Sequence, residues 1–171
     1  MPGLFRRRKR TRYYGPFPLA VNPVEPLENL IEQGRFRRVK GDIAGAGFPD
    51  ARKEPYAVDI ELLELCESLY SILGLPGALS KLEARGYRGA TAREFIEFAA
   101  QHPEAQYGWS SVSALGAVQE RGGEVHALTI WDRGNFPRTL DLHRISGPGY
   151  GSYWMGGHVF AAVKLGTEQA L

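Results

Sequence analysis

SSVSALGAVQERGGEVHALTIWDRGNFPRTLDLHRI, residues 110–145, divides into three short segments rich in apolar and β-branched side chains, parted by the turn chemistry of RGG and RGNFP. With HVFAAVKL at 158–165 they make four strand candidates, and strands joined by such short links pair antiparallel. Upstream the period changes. TAREFIEFAAQHP, residues 91–103, has Thr91 and Glu94 at capping-box spacing, Phe95, Phe98 and Ala99 on one stripe, and Pro103 beyond its end. The fold class predicted is α+β: a small antiparallel sheet in the C-terminal half, with two to four helices packed on it.

Further back, YAVDIELLEL at 56–65 alternates Tyr56, Val58, Ile60 and Leu62 with Ala57, Asp59, Glu61 and Leu63, the two-residue period of a strand. CESLYSILGLPGALSKLEARG predicts helix in two pieces, the second starting near Pro76 and stopped by Gly86. PLENLIEQG predicts a short helix with Leu27, Leu30 and Ile31 on one face, Pro26 at its start and Gly34 at its stop. YYGPFPLAVNPVEP carries four prolines in fourteen residues, which rules out helix and favours an extended segment lying on the body. The chain therefore reads as a basic, Pro-rich extended arm over 1–24 and one α+β domain over 25–171.

Composition narrows the function classes. At 171 residues with 43% hydrophobic side chains, the chain is sized for one domain with its own core. No apolar run approaches a membrane span and no leader pattern opens the sequence, so the expected location is the cytoplasm. Cys66 is the only cysteine, which excludes an internal disulfide and a cysteine-based zinc site; its leucine neighbours suit a buried small side chain. The net charge of +2 is uneven. Arg6, Arg7, Arg8, Lys9, Arg10 and Arg12 stand in the first thirteen residues without an acid, leaving fifteen basic against nineteen acidic residues, or −4, in the remainder. With Arg35, Arg37, Arg38 and Lys40 of RFRRVK, this arm suits an anionic partner, nucleic acid among them.

PLENLIEQGRFRRVKGDIAGAGFP, LEARGYRGATAREFIEFAAQHPEAQ, VSALGAV and the closing HVFAAVKL resemble, in order and spacing over about residues 27–165, a family of small uncharacterised bacterial proteins. That resemblance implies no activity. The chain departs from the family pattern at Gly89, where a proline is usual, at Ala117 and Val118, where a polar residue and a tryptophan follow VALG, and at VFAAVK, where the family has RFLAVRK. YRGATAREFIEFAAQ and HVFAAVK are also similar to C-type-lectin-like modules, including the variable proteins of diversity-generating retroelements. This second resemblance implies a binding face of aromatic and polar residues displayed between the last strands.

The residues themselves point the same way. SGPGYGSYWMGG, residues 146–157, sets Tyr150, Tyr153 and Trp154 among five glycines, with Trp131 and Phe136 nearby and Arg133, Asn135 and Arg138 at the rim. Amphipathic rings on a loop are the composition of recognition surfaces, and the alternative is that Trp131 and Trp154 fold inward as core. The expected function is a non-enzymatic binding or assembly module for a protein or glycan, requiring no cofactor. Nucleic-acid association through the basic arm is the first alternative, and a small His/Asp hydrolase or metal enzyme is the second. For that last reading Asp141 and His143 share a strand face, pointing towards Thr129 or Trp131, and His126, His143 and His158 are the zinc candidates. No nucleophile elbow, P-loop or dinucleotide fingerprint is present.

Overall fold

A computed structural model describes residues 12–49, 52–64, 67–132, 137–146 and 158–171. The described elements, in chain order, are β1 (Arg12–Val21), α1 (Leu27–Gln33), β2 (Arg38–Val39), β3 (Tyr56–Glu64), α2 (Glu67–Glu83), β4 (Tyr87–Gly89), α3 (Ala92–Gln101), β5 (Ser111–Arg121), β6 (Glu124–Trp131), β7 (Thr139–Ser146), β8 (His158–Lys164) and β9 (Gln169–Ala170). All nine described strands belong to one sheet, ordered β1-β3-β8-β5-β6-β7-β2, with β4 beside β8 and β9 beside β3.

The α+β character holds, but the expected small antiparallel sheet is replaced by a larger, mixed one. β8 runs parallel to β5, and β2 runs parallel to β7. The extra strands are β1, β2, β4 and β9, and β1 shows why the longest of them was hidden. Prolines lack the N–H a central strand needs, yet at a sheet edge the outward N–H has no ladder partner, so Pro16 and Pro18 are tolerated. The register slips between Tyr14 and Phe17 and recovers to pair Val21 with Tyr56. The extended segment therefore does not merely lie on the body; it is a strand of the sheet.

Helices cover both faces. Alternation along the strands sends Leu19, Val58, Ile60, Leu62, Val112, Leu128 and Val159 to one face, under Phe95, Phe98 and Ala99 of α3 and Leu30 of α1. Thr91 and Glu94 complete the predicted capping box. Phe95 and Phe98 are fully buried, each contributing about 2–3 kcal/mol of apolar transfer. The opposite face sends Leu63, Leu115, Tyr87 and Phe160 against Ala78 and Leu82 of α2. That helix is one piece, not the two expected: Pro76 lies inside it. A proline removes one ladder bond, and the core contacts of Ala78 and Leu82 carry the helix past it. Burial, and the Glu61 carboxylate to which the hydroxyl donates at 2.8 Å, push the Tyr87 phenol up to about 12.

The open side of β1 is closed by α3. Gln101 donates to the Ala20 carbonyl at 2.8 Å and accepts from its amide at 3.4 Å, as a neighbouring strand would, and His102 Nε2 donates to the Pro18 carbonyl at 2.7 Å. Edges left bare pair with other chains. Gln101→Ala is expected to cost about 1 kcal/mol and to raise light scattering on incubation below the unfolding midpoint, where wild type stays clear.

Candidate functional site

Two rows of side chains cross the face that α2 shares. In the first, Arg38 of β2 stands opposite Thr139 of β7, Thr139 opposite Trp131 of β6, Trp131 opposite Ser111 of β5, and Ser111 beside His158 of β8. In the second, Asp141, Thr129, Ser113 and Phe160 align in the same strand order, and the Lys40 ammonium reaches Asp141 at 3.3 Å. Residues paired across strands share a face, so these rows form one surface at the end of the sheet where β5, β7 and β8 begin.

The inner part of this surface is a buried polar network. His158, Ser111, Ser113 and Thr129 are all buried. Thr129 gives its proton to the Ala127 carbonyl at 3.1 Å, so Ser113, 2.7 Å away, donates to Thr129. Ser113 in turn accepts from His158 Nε2 at 3.1 Å, and His158 Nδ1 is hydrogen-bonded to the Ser111 hydroxyl.

At the outer part stands Trp131, half-buried, with the His143 ring edge-on at 4.7 Å and the His158 ring at 6.0 Å. Two imidazoles crossing the indole at 83° and 80° fix its orientation. Beyond it lie Lys40 and Arg38, both exposed. Asp141 and His143 share this face, as their two-residue spacing predicts, with Asp141 opposite Thr129 and His143 against Trp131. Asp141 is engaged by Lys40.

Two expected site roles do not survive the register. His126 pairs with Arg144 one step out of phase with His143, so it lies on the opposite face, near Glu124 at 3.7 Å, and cannot join His143 and His158 around zinc. Among the described residues no three metal-binding side chains come together. Arg138 faces inward: its guanidinium donates to the Ala99 carbonyl at 2.7 Å, to Gln106 Oε1 at 2.7 and 3.1 Å, and to the Gly34 carbonyl. The Ala99 and Gly34 carbonyls lie at the ends of α3 and α1, so Arg138 serves as a shared helix cap and not as a rim contact. Arg133, Asn135, Phe136, Tyr150, Tyr153, Trp154, Cys66 and Arg6 to Arg10 lie outside the described residues, and Arg12 is placed by its backbone at the start of β1. Arg35 and Arg37, like Arg38 and Lys40, are exposed.

Ser111, Ser113 and His158 as a network escaped the sequence reading. Their signal is a polar residue at every second position of 111–113, on a strand whose other face is apolar; only the register of β5 against β6 and β8 joins them.

A second polar cluster is structural. Glu94 is fully buried, and its two oxygens accept from Arg88 at 2.7 and 2.8 Å, from the Thr91 amide at 2.8 Å and from the Tyr56 hydroxyl at 3.1 Å. Burial alone raises this carboxyl, but the Arg88 guanidinium, with the Thr91 and Tyr56 donors, holds it below the usual carboxylate range. Arg88 also binds Glu168, which Arg52 reaches from outside, tying the C-terminal segment to β4. Four donors saturate Glu94, so it has no lone pair to offer a ligand.

Comparison with protein-family models, with curated proteins and with solved structures gives no match for this chain. No helix among the described residues is long and apolar enough to cross a membrane.

Proposed function

We propose that this protein is a non-enzymatic recognition module whose contact surface is the end of the sheet centred on Trp131. The observation that carries this reading is the position of that ring: half-buried, oriented by His143 and His158, and bordered by exposed cations in register with it. A rigid aromatic with a polar border gives contact area at little cost in side-chain freedom, which is how recognition surfaces gain affinity. The hydroxyl network behind it favours binding over chemistry, because His158 spends both nitrogens on serines that are themselves buried. Residues 133–136 and 147–157, expected to extend the surface, flank β7 and precede β8 in the chain.

Immobilised wild type and Trp131→Ala, compared for capture from a cell extract and on a glycan array, test the reading. A partner held by wild type and lost by the variant, with near-ultraviolet circular dichroism showing the variant folded, supports it. Equal capture by both contradicts it.

A further inference from the structure

We infer that the partner of the Trp131 surface is a single-stranded nucleic acid, with a base packed against the indole and the adjoining phosphates held by Arg37, Arg38 and Lys40. This rests on the reading of the Trp131 end as the recognition surface, and names its ligand class.

The argument is the register. Arg38, Thr139 and Trp131 stand side by side on β2, β7 and β6, so the guanidinium-bearing strand lies two strand spacings, about 10 Å, from the aromatic one. That is the reach from a base to its own phosphate backbone, and a cationic track beside an aromatic platform is how single strands are bound without regard to sequence. The charges are available. Arg35, Arg37, Arg38 and Lys40 are exposed, and no ion pair among the described residues engages Arg35, Arg37 or Arg38. Lys40 is shared with Asp141, the carboxylate in these two rows, so that acid is already offset where a phosphate would approach.

The backbone around these cations is pinned to the start of β7. Arg37 and Arg38 both donate their amides to the Arg138 carbonyl, at 2.9 and 3.4 Å, which fixes this pair of exposed residues at the entry to β2. Arg35 takes a left-handed conformation, φ 49°, rare for a residue with a side chain. A duplex buries its base faces in its own stack and offers none to Trp131, and a neutral glycan offers no anion to Arg37, Arg38 and Lys40. Ribose and deoxyribose strands share the required chemistry.

Fluorescence anisotropy of labelled twelve-nucleotide oligo(dT) and oligo(U), titrated with the full chain between 50 and 200 mM salt, tests this. Wild type is expected to bind at least one of them with a log–log salt slope of about −2 from the three sheet cations, since each phosphate contact on a single strand contributes about −0.7. Arg37→Ala/Arg38→Ala should flatten the slope by about 1.4 and weaken binding roughly tenfold at 50 mM. Trp131→Ala should weaken it about tenfold with the slope unchanged. Both variants should show these effects in a chain lacking residues 1–11 as well, which separates the sheet surface from the arm. Absence of binding to either oligomer, binding that survives the arginine pair, or binding that vanishes with residues 1–11 alone overturns the proposal. If the extract or array partner still requires Trp131 while neither oligomer binds, the ligand class is wrong and the recognition surface stands; if nothing bound requires Trp131, both fall.

Discussion

Arg88→Ala is expected to lower stability by about 3–5 kcal/mol near neutral pH, the usual cost of stranding a buried charge whose partner is removed. Glu94 stays behind, fully buried, with only the Thr91 amide and Tyr56 hydroxyl to hold its charge. The pH dependence identifies the cause. In wild type the folded carboxyl lies below its ordinary 4.5, so the stability it contributes is complete above that value and is lost as acid titrates the folded form. In the variant, burial dominates and pushes the same carboxyl above its unfolded value, so its contribution is largest in acid and is lost as pH rises through the new value. The difference between the two proteins therefore widens from pH 4 to pH 7. Burial also raises the neighbouring Glu97 carboxyl, partly offset by the Asn22 amide, but that group is common to both proteins and drops out of the difference. Urea unfolding midpoints at the two pH values measure it, and an equal difference at both would show that Arg88 acts through packing alone.

Gly116→Ala should cost about 3 kcal/mol, at the upper end of what overpacking does. The inner edge of β8 is shared: Ser111 to Ala114 of β5 pair with its first four residues, and β4 pairs with Ala162 to Lys164 beyond them. Where one partner hands over to the other, β4 and β5 cross almost in contact. A Cβ on Gly116 would sit 2.6 Å from the carbonyl oxygens of both Gly89 and Ala90, and one on Gly89 would sit 2.4 Å from the Gly116 nitrogen. Backbone atoms cannot swing aside as a flexible side chain can, so the strands must part. Because either methyl opens the same crossing, Gly89→Ala/Gly116→Ala should cost clearly less than the sum of the single variants, measurable by denaturant unfolding of all three.

How much of this was legible depended on whether the signal was local. The capping box of α3, the alternation in β3 and the apolar segments bounded by turns that become β5 to β8 are written in neighbouring residues, and the structure has them at the expected positions. β1 was obscured because proline's local meaning, no N–H and a fixed φ, says extended without saying paired; only Gln101 and His102, eighty residues away, reveal the edge. The same distance problem governs the site. Asp141 and His143 were placed on one face by spacing alone, and recognising Arg138 as a helix cap needs its contacts with the ends of α1 and α3, but setting His126 aside and assembling Ser111, Ser113 and His158 need the register between strands. One residue of slip would reverse each of those outcomes.

The indole N–H resonance of Trp131, assigned by its loss in Trp131→Phe, gives the most direct test of the recognition surface. Trp109, packed edge-on against Tyr14 at 4.6 Å beside the first core, serves as the internal reference. On addition of the bound partner, the Trp131 resonance should shift or broaden while that of Trp109 stays in place. A saturated complex in which the Trp131 resonance does not move would contradict the account.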